Sequence, residues 1–239
     1  MSASSISALT ILGEGGWGVA LLRAALTTFA LSVAGLLAGA VLGAIAATAR
    51  LGGGSLASGL AYAYSTLFRG VPDLLTIYLM YFGGSAGLTM VGQWLGAQGF
   101  IGLPAFATGV LALGVISGAY QAEVYRGAFL AIHRGELDAA RAFAMPAWTM
   151  LRRIVAPQVL RYAIPGLGNV WQLVLKDSAL ISVIGLVELM RQAQVGAGST
   201  RQPFVFYGGA AALYLIIAVI TGSLFRRAER RSLRGARIA

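Results

Sequence analysis

Long apolar stretches separated by short polar ones run through this chain of 239 residues. Five of them have about the twenty residues that a helix needs to cross a bilayer. These stretches are Ala24–Ala49, Val71–Val91, Pro104–Tyr125, Gly166–Val187 and Phe204–Phe225. The pattern predicts an all-α, polytopic membrane protein with five transmembrane helices and no sizeable soluble domain.

Two further features concern the first part of the chain. Leu56–Phe68 is apolar but short, which suits an interfacial or re-entrant helix better than a full span. Gly35, Gly39 and Gly43 are four residues apart, so they share one face of the first span and permit close approach of another helix. The spacing does not indicate which helix packs there, and a flexible glycine-rich face explains it equally well.

Composition supports the membrane prediction and removes several function classes. The chain is 58% hydrophobic and only 11% charged, whereas soluble domains carry about 25% charged residues. It has no cysteine and one histidine, His133, so the sequence predicts neither a disulfide nor a metal cluster. The phosphate-binding pattern of a P-loop ATPase is missing, since the single lysine, Lys176, precedes Asp177. We expect no cofactor and no enzyme activity of the chain's own.

The net charge of +10 indicates an orientation in the membrane rather than nucleic-acid binding, because cytoplasmic loops collect arginine and lysine. With five spans and a cytoplasmic C-terminus, 14 of the 18 basic residues lie inside. They are Arg50, Arg69, Arg126, Arg134, Arg141, Arg152, Arg153, Arg161 and six arginines of the C-terminal tail. We therefore predict an extracytoplasmic N-terminal segment (1–23), a transmembrane domain (24–225) and a basic cytoplasmic tail (226–239).

The longest polar break, residues 134–157, predicts two short helices. Glu136 and Asp138 are expected in the first turn of one helix, where negative charge suits the positive end of the helix dipole. Pro146 is expected as the first residue of the second helix. Pro157 is expected to end that helix.

Charged residues inside the spans are candidates for function. Lys176 and Asp177 lie about ten residues into the fourth span, and Asp73 lies near the start of the second. Neighbouring residues on a helix point about 100° apart, so Lys176 and Asp177 need separate partners. Asp177, Asp73, Lys176 and the adjacent Ser178 are the candidate substrate-binding residues. A buried ion pair between helices, or a helix-terminal role for Asp73, explains the acids equally well. Glu123 is expected to pair with Arg126.

The polar break carries a family resemblance. Its sequence is similar, at the same spacing, to the "EAA" loop of ABC importer permeases, with Asp138 for glutamate, Ala144 for glycine and Ala156 for leucine. Loss of the glycine can change the turn between the two helices. Four other stretches resemble the polar amino-acid subfamily, most of all the "Q" subunits of histidine, arginine and opine importers: Phe68–Asp73, Tyr81–Gly83, Gly118–Ala128 and Leu175–Leu180.

The resemblance implies a type I permease fold with the N-terminus outside, in the inner (plasma) membrane. It implies that the 134–157 loop docks on a separate ABC ATPase, present in two copies. The residues expected to couple to that ATPase are Glu136, Asp138, Ala139, Ala140, Ala144, Ile154 and Pro157.

Other partners follow from the resemblance: a second permease subunit, either a similar "M" chain or a second copy, and a periplasmic solute-binding protein that delivers the amino acid. Substrate then crosses by alternating access. Asp73 and Asp177 favour a cationic substrate such as arginine, histidine or an opine. The rival interpretations are an ion-coupled secondary amino-acid transporter and a non-transporting membrane assembly protein.

Overall fold

The computed structural model describes residues 16–233, which form helices and no β-strand. Parts of the predicted N-terminal segment and basic tail lie outside these residues. We number the α-helices in chain order: α1 Trp17–Gly52, α2 Ser55–Gly70, α3 Asp73–Tyr78, α4 Gly84–Trp94, α5 Ala105–Leu130, α6 Arg134–Ala142, α7 Ala147–Met150, α8 Ala156–Asp177, α9 Leu189–Thr200 and α10 Pro203–Leu233. A π-helical turn, Leu79–Gly83, joins α3 to α4, and a second, Leu151–Val155, joins α7 to α8.

Among the described residues, four helical stretches are long and apolar enough to cross a membrane: α1, the continuous α3–α4, α5 and α10. They overlap the first, second, third and fifth predicted spans, which confirms several apolar membrane helices. α1 has 36 residues and is about 54 Å long, well beyond the ~30 Å hydrocarbon core of a bilayer.

The helices differ from the apolar pattern in three places. The predicted fourth span, Gly166–Val187, is not one α-helix: α8 ends at Asp177 and a 3-10 helix, Ser178–Ile184, follows. The stretch between the fourth and fifth predicted spans contains α9. α10 continues through the first part of the predicted tail to Leu233, because Arg and Glu are good helix formers that need no apolar surroundings.

The chain divides into two compact units. The first contains the chain up to Gly35, together with Asp73–Leu113 and Val174–Ile220. Its core joins α1, α9 and α10 around Phe206, which is fully buried and meets the ring of Trp17 edge-on at 5.3 Å between centroids.

The second unit contains Leu36–Pro72, Gly114–Leu173 and the chain from Thr221 onward. Its core cluster is built from small residues, Ala46, Ala61 and Ala122, one from each of α1, α2 and α5. Small side chains let membrane helices approach closely, which is the main source of helix association in lipid.

The glycine face of α1 packs against α5. A Cβ atom at Gly39 would clash with Ser117 Oγ and lie 2.7 Å from Gln121 Nε2. One at Gly43 would lie 2.8 Å from Gln121 Cβ. Gln121 in turn donates a hydrogen bond from Nε2 to the Leu36 carbonyl oxygen at 3.0 Å. The glycines therefore serve a specific helix contact and not general flexibility.

Candidate functional site

The polar break forms two helices, as predicted, and α6 is capped by the histidine before it. His133 Nδ1 accepts a hydrogen bond from the Gly135 N–H at 3.2 Å, so His133 is the N-cap of α6. Glu136 lies in the first turn of α6, as expected. The prediction that Asp138 shares this turn was wrong, because the helix begins at Arg134 and Asp138 is its fifth residue. The Asp138 side chain is exposed and accepts a hydrogen bond from Arg141 at 2.8 Å.

Ala144, which stands where the family pattern has glycine, forms the turn after α6. Its φ angle is +50°, in the left-handed region that glycine prefers. The Ala144 N–H donates to the Arg141 carbonyl at 2.8 Å, and the Met145 N–H donates to the Ala140 carbonyl at 3.1 Å. These two bonds define a Schellman motif, whose C′ position is usually glycine. Alanine is thus held in a conformation that costs about 1–2 kcal/mol for a residue with a Cβ atom.

The two prolines act differently from the prediction. Pro146 is the N-cap of α7, which begins one residue later at Ala147. Pro157 does not end the second helix, because helical structure continues from the π turn directly into α8. Proline has no N–H to donate, and the wide π turn just before it is the kind of local irregularity that accommodates such a loss.

A surface groove of about 390 Å³ brings most of the predicted coupling residues together. It is lined by Glu136, Ala139, Ala140, Phe143, Met145, Arg153, Ile154, Pro157 and Gln158. Gln158 donates a hydrogen bond to Glu136 and so ties α8 to α6. Asp138 and Ala144 do not line the groove. Phe143, which lines the groove, is 85% exposed, and Trp148 of α7 is 71% exposed.

The predicted substrate residues all belong to the first unit. The 3-10 helix that begins at Ser178 packs against α3, whose first residue is Asp73. Asp73 and Asp177 are close enough for their charges to interact. Asp177 Oδ2 is buried without a hydrogen-bond partner among the described residues. Lys176 is exposed, and the Ser178 hydroxyl donates to the Leu175 carbonyl at 2.7 Å.

Sequence reasoning missed a buried acid just after this segment. Glu188 is fully buried and caps α9, where its carboxylate accepts hydrogen bonds from the N–H groups of Met190 and Arg191. Its Oε2 also accepts from Tyr214 at 2.9 Å and from Thr28 at 3.3 Å. Burial raises the pKa of the Glu188 carboxyl, and these four donors oppose the rise. Glutamate is not a preferred N-cap residue, which is why the sequence did not indicate it.

The pairing of Glu123 with Arg126 is confirmed, but it is part of a larger cluster. Arg126 Nε lies 3.2 Å from Glu123 Oε2. Arg50 and Arg69, which the sequence did not connect to Glu123, also contact this carboxylate. A glycine-rich turn follows Arg50, and a turn that contains proline follows Arg69. Both arginines are far from Glu123 in the sequence, so the sequence did not predict that they contact α5.

Comparison with known proteins gives the family. Residues 39–234 match the family described as "Binding-protein-dependent transport system inner membrane component". The octopine transport system permease protein OccQ of Rhizobium radiobacter is 56% identical over 229 residues, covering 96% of this chain and 97% of that protein. The nopaline transport system permease protein NocQ of Agrobacterium fabrum (strain C58 / ATCC 33970) is 44% identical, with 96% and 98% covered. The histidine/lysine/arginine/ornithine transport system permease protein HisQ of Escherichia coli (strain K12) is 35% identical, with 90% and 94% covered.

Solved structures agree with this match. The crystal structure of an amino acid ABC transporter with histidines superposes with a TM-score of 0.77 at 29% identity, covering 92% of this chain and 98% of that one. An inward-facing MetNI methionine ABC transporter shares the fold, with a TM-score of 0.59 at 19% identity and 98% of each chain covered. The chain is therefore a multi-pass membrane protein that belongs to the inner-membrane permease family of binding-protein-dependent ABC importers.

Proposed function

We propose that this chain is the "Q"-type permease subunit of an importer for amino acids or opines with a cationic side chain. ATP hydrolysis in such a system belongs to a separate ATPase subunit, and a binding protein delivers the substrate. The relatives named for octopine, nopaline and histidine/lysine/arginine/ornithine transport support this substrate class. The chain acts with a second permease, a similar "M" chain or a second copy, and with two ATPase copies.

The observation that carries the substrate proposal is Asp177. Its Oδ2 is buried without a hydrogen-bond partner among the described residues, and Asp73 adds a second carboxylate nearby. A buried acceptor without a partner is costly, and a cationic ligand that donates to it removes that cost. Lys176, being exposed, is assigned to contacts outside the chain. Ser178 supports the local backbone, because its hydroxyl is engaged by Leu175.

The ATPase docks on the groove between α6 and the start of α8 and on the exposed side chains beside it. Phe143 and Trp148 offer apolar surface, and Asp138 and Arg153 offer charge. Interface cores are enriched in such aromatic residues. Glu136, Ala139, Ala140, Ile154 and Pro157 shape the groove, and Ala144 sets the angle at which α7 follows α6.

In the membrane we propose five spans, with the N-terminus outside and the C-terminus cytoplasmic. The fourth span consists of α8 and the 3-10 helix after it. The distribution of arginine supports this orientation. Because the chain has no cysteine, single-cysteine variants test it directly. A membrane-impermeant maleimide is expected to label Ser199→Cys in spheroplasts and to label Arg230→Cys only after permeabilisation. The reverse pattern would invert the topology.

The function itself is tested by reconstituting the complete transporter with its ATPase and its binding protein. ATP hydrolysis is measured across a panel of amino acids and opines. We expect stimulation by cationic members of the panel and none by acidic ones. Stimulation only by neutral or acidic ligands would overturn the substrate class, and a complex that fails to form would overturn the role of the 134–157 segment.

A further inference from the structure

Three arginines from three helices converge on one carboxylate in the second unit. Arg50 of α1 contacts Glu123 Oε1, and Arg69 of α2 lies 3.4 Å from the same oxygen. Arg126 of α5 lies 3.2 Å from Oε2. The four groups together carry a formal charge of +2, so the glutamate neutralises only one of its three partners.

Two aromatic rings also contact the arginines, and they do not change the charge of the cluster. The Arg50 guanidinium lies 5.4 Å from the centre of the Tyr62 ring, and the Arg69 guanidinium lies 5.6 Å from that of Tyr120. Three guanidinium groups carry about fifteen N–H donors, whereas one carboxylate offers about four acceptor positions. The cations also repel one another at this spacing, and an additional anion would offset that repulsion.

Two of the three arginines reach the surface. The Arg69 side chain is 43% exposed and that of Arg126 is 35% exposed, whereas Arg50 is largely buried. Exposed apolar groups accompany them: Tyr62 lies against Arg50, and Leu130 follows Arg126 by one helical turn. The helix that carries Arg69 also exposes Leu56, Leu60 and Leu67. The two exposed arginines therefore lie on the same helices as exposed apolar side chains.

We propose that Arg69 and Arg126 bind the phosphate group of an anionic phospholipid, while the exposed side chains of α2 and α5 contact its acyl chains. Basic pockets between membrane helices bind acidic lipid headgroups by the same chemistry. An acidic protein segment would satisfy the charge but not the apolar surface beside it. A lipid satisfies both, and the chain lies in a membrane.

The test uses the complete transporter in a neutral detergent. Phosphatidylglycerol, phosphatidylcholine and inorganic phosphate are added separately, and binding is followed by native mass spectrometry and by the thermal unfolding midpoint. We expect retention of phosphatidylglycerol and a raised midpoint with that lipid alone. An equal shift with phosphatidylcholine would overturn charge recognition. An equal shift with inorganic phosphate would indicate a free-anion site and overturn the lipid proposal.

Variants separate this site from general attraction between basic proteins and acidic lipids. Arg69→Gln combined with Arg126→Gln leaves Glu123 paired with Arg50 and makes the cluster neutral. We expect roughly tenfold weaker phosphatidylglycerol binding. The matched control, Arg227→Gln with Arg230→Gln, removes two exposed charges from α10 and should change binding less than about twofold.

Glu123→Gln provides the opposite change, because it raises the formal charge of the cluster from +2 to +3. Tighter phosphatidylglycerol binding is expected. Unchanged binding in both the glutamine variant and the double arginine variant would mean that the cluster only holds the helices together. Loss of a partner subunit from the double variant, with lipid binding intact, would assign the surface to a protein interface instead.

Discussion

Residues 134–157 and residues 177–201 both contain polar side chains, yet they use some of them in opposite ways. The first segment exposes polar side chains: Arg141 is 65% exposed and Asp138 is 67% exposed. The second segment buries two of its polar side chains, Ser178 and Glu188, inside the first unit. Exposed polar groups are available to partners, whereas buried ones are committed to the fold. Substitutions of exposed polar residues should therefore change activity, whereas substitutions of buried, hydrogen-bonded ones should change stability.

The largest effect is expected from Glu188→Ala. It leaves two backbone N–H groups and the hydroxyls of Thr28 and Tyr214 without their acceptor in a buried place. Each buried unsatisfied group costs about 1–3 kcal/mol, so a loss of at least 3 kcal/mol is expected. The thermal midpoint of the purified protein should fall by about 10 °C. Glu188→Gln, which keeps one acceptor oxygen, is the control and should lose clearly less; equal losses would contradict this role.

Asp138→Lys should have a large effect on activity and none on folding. Its salt bridge with Arg141 is exposed, and such pairs contribute little to stability. We expect ligand-stimulated ATP hydrolysis to fall about tenfold or more, because the reversed charge opposes ATPase docking. Arg141→Gln breaks the same salt bridge but keeps the acid, so it should retain most of the activity. An Asp138→Lys protein that assembles and transports normally would remove this residue from the coupling surface.

Asp177→Asn sharpens the comparison within the buried segment. Unlike Glu188, Asp177 has a buried oxygen with no hydrogen-bond partner among the described residues, so neutralising it should leave stability unchanged or slightly higher. The substrate concentration that gives half-maximal uptake of a cationic substrate should rise about tenfold, because a hydrogen bond to a charged group is lost. Transport assays in vesicles measure this, with the thermal midpoint as the control. Normal uptake kinetics would exclude Asp177 from the substrate site.

The smallest effect is expected from Ala144→Gly, and it is a gain. Glycine adopts the left-handed conformation without strain, although it loses more entropy on folding, so a net stabilisation of about 0.5–1 kcal/mol is expected. Ala142→Gly, two residues earlier in the last turn of α6, is the matched control and should destabilise. The difference between the two variants in thermal unfolding measures the strain in the turn. A lower stability for both would mean that Ala144 is not strained.

The sequence predicted well wherever one physical rule dominates. Apolar length gave the helices α1, α3–α4, α5 and α10, and helix-terminal chemistry gave the start of α6. The sequence prediction failed where contacts or geometry set by the folded structure outweigh a residue's local preference. Pro157 usually ends a helix, but a π turn carries the chain through it. Glu188 resembles a loop residue until Thr28 and Tyr214, distant in the chain, supply its donors.

The candidate site shows the same division. Five of the seven residues predicted to couple to an ATPase line one groove, because a motif fixes neighbours along one segment. The three-arginine cluster around Glu123 could not be predicted beyond Arg126, because Arg50 and Arg69 approach it only through the packing of α1 and α2 on α5. The conformation of Ala144 was also hidden, since alanine rarely adopts a positive φ angle.

The glycine contact between α1 and α5 has a consequence for how such a transporter moves. With Ser117 and Gln121 interlocked against Gly39 and Gly43, the two helices cannot slide along each other without collision. The part of α1 around Gly39 and Gly43 and the part of α5 around Ser117 and Gln121 should therefore move together during the transport cycle. Closely packed helices move as rigid segments, and bending occurs at hinges where the helices are irregular or end. Among the described residues, we expect such bending at the π turns and at the 3-10 helix after Asp177.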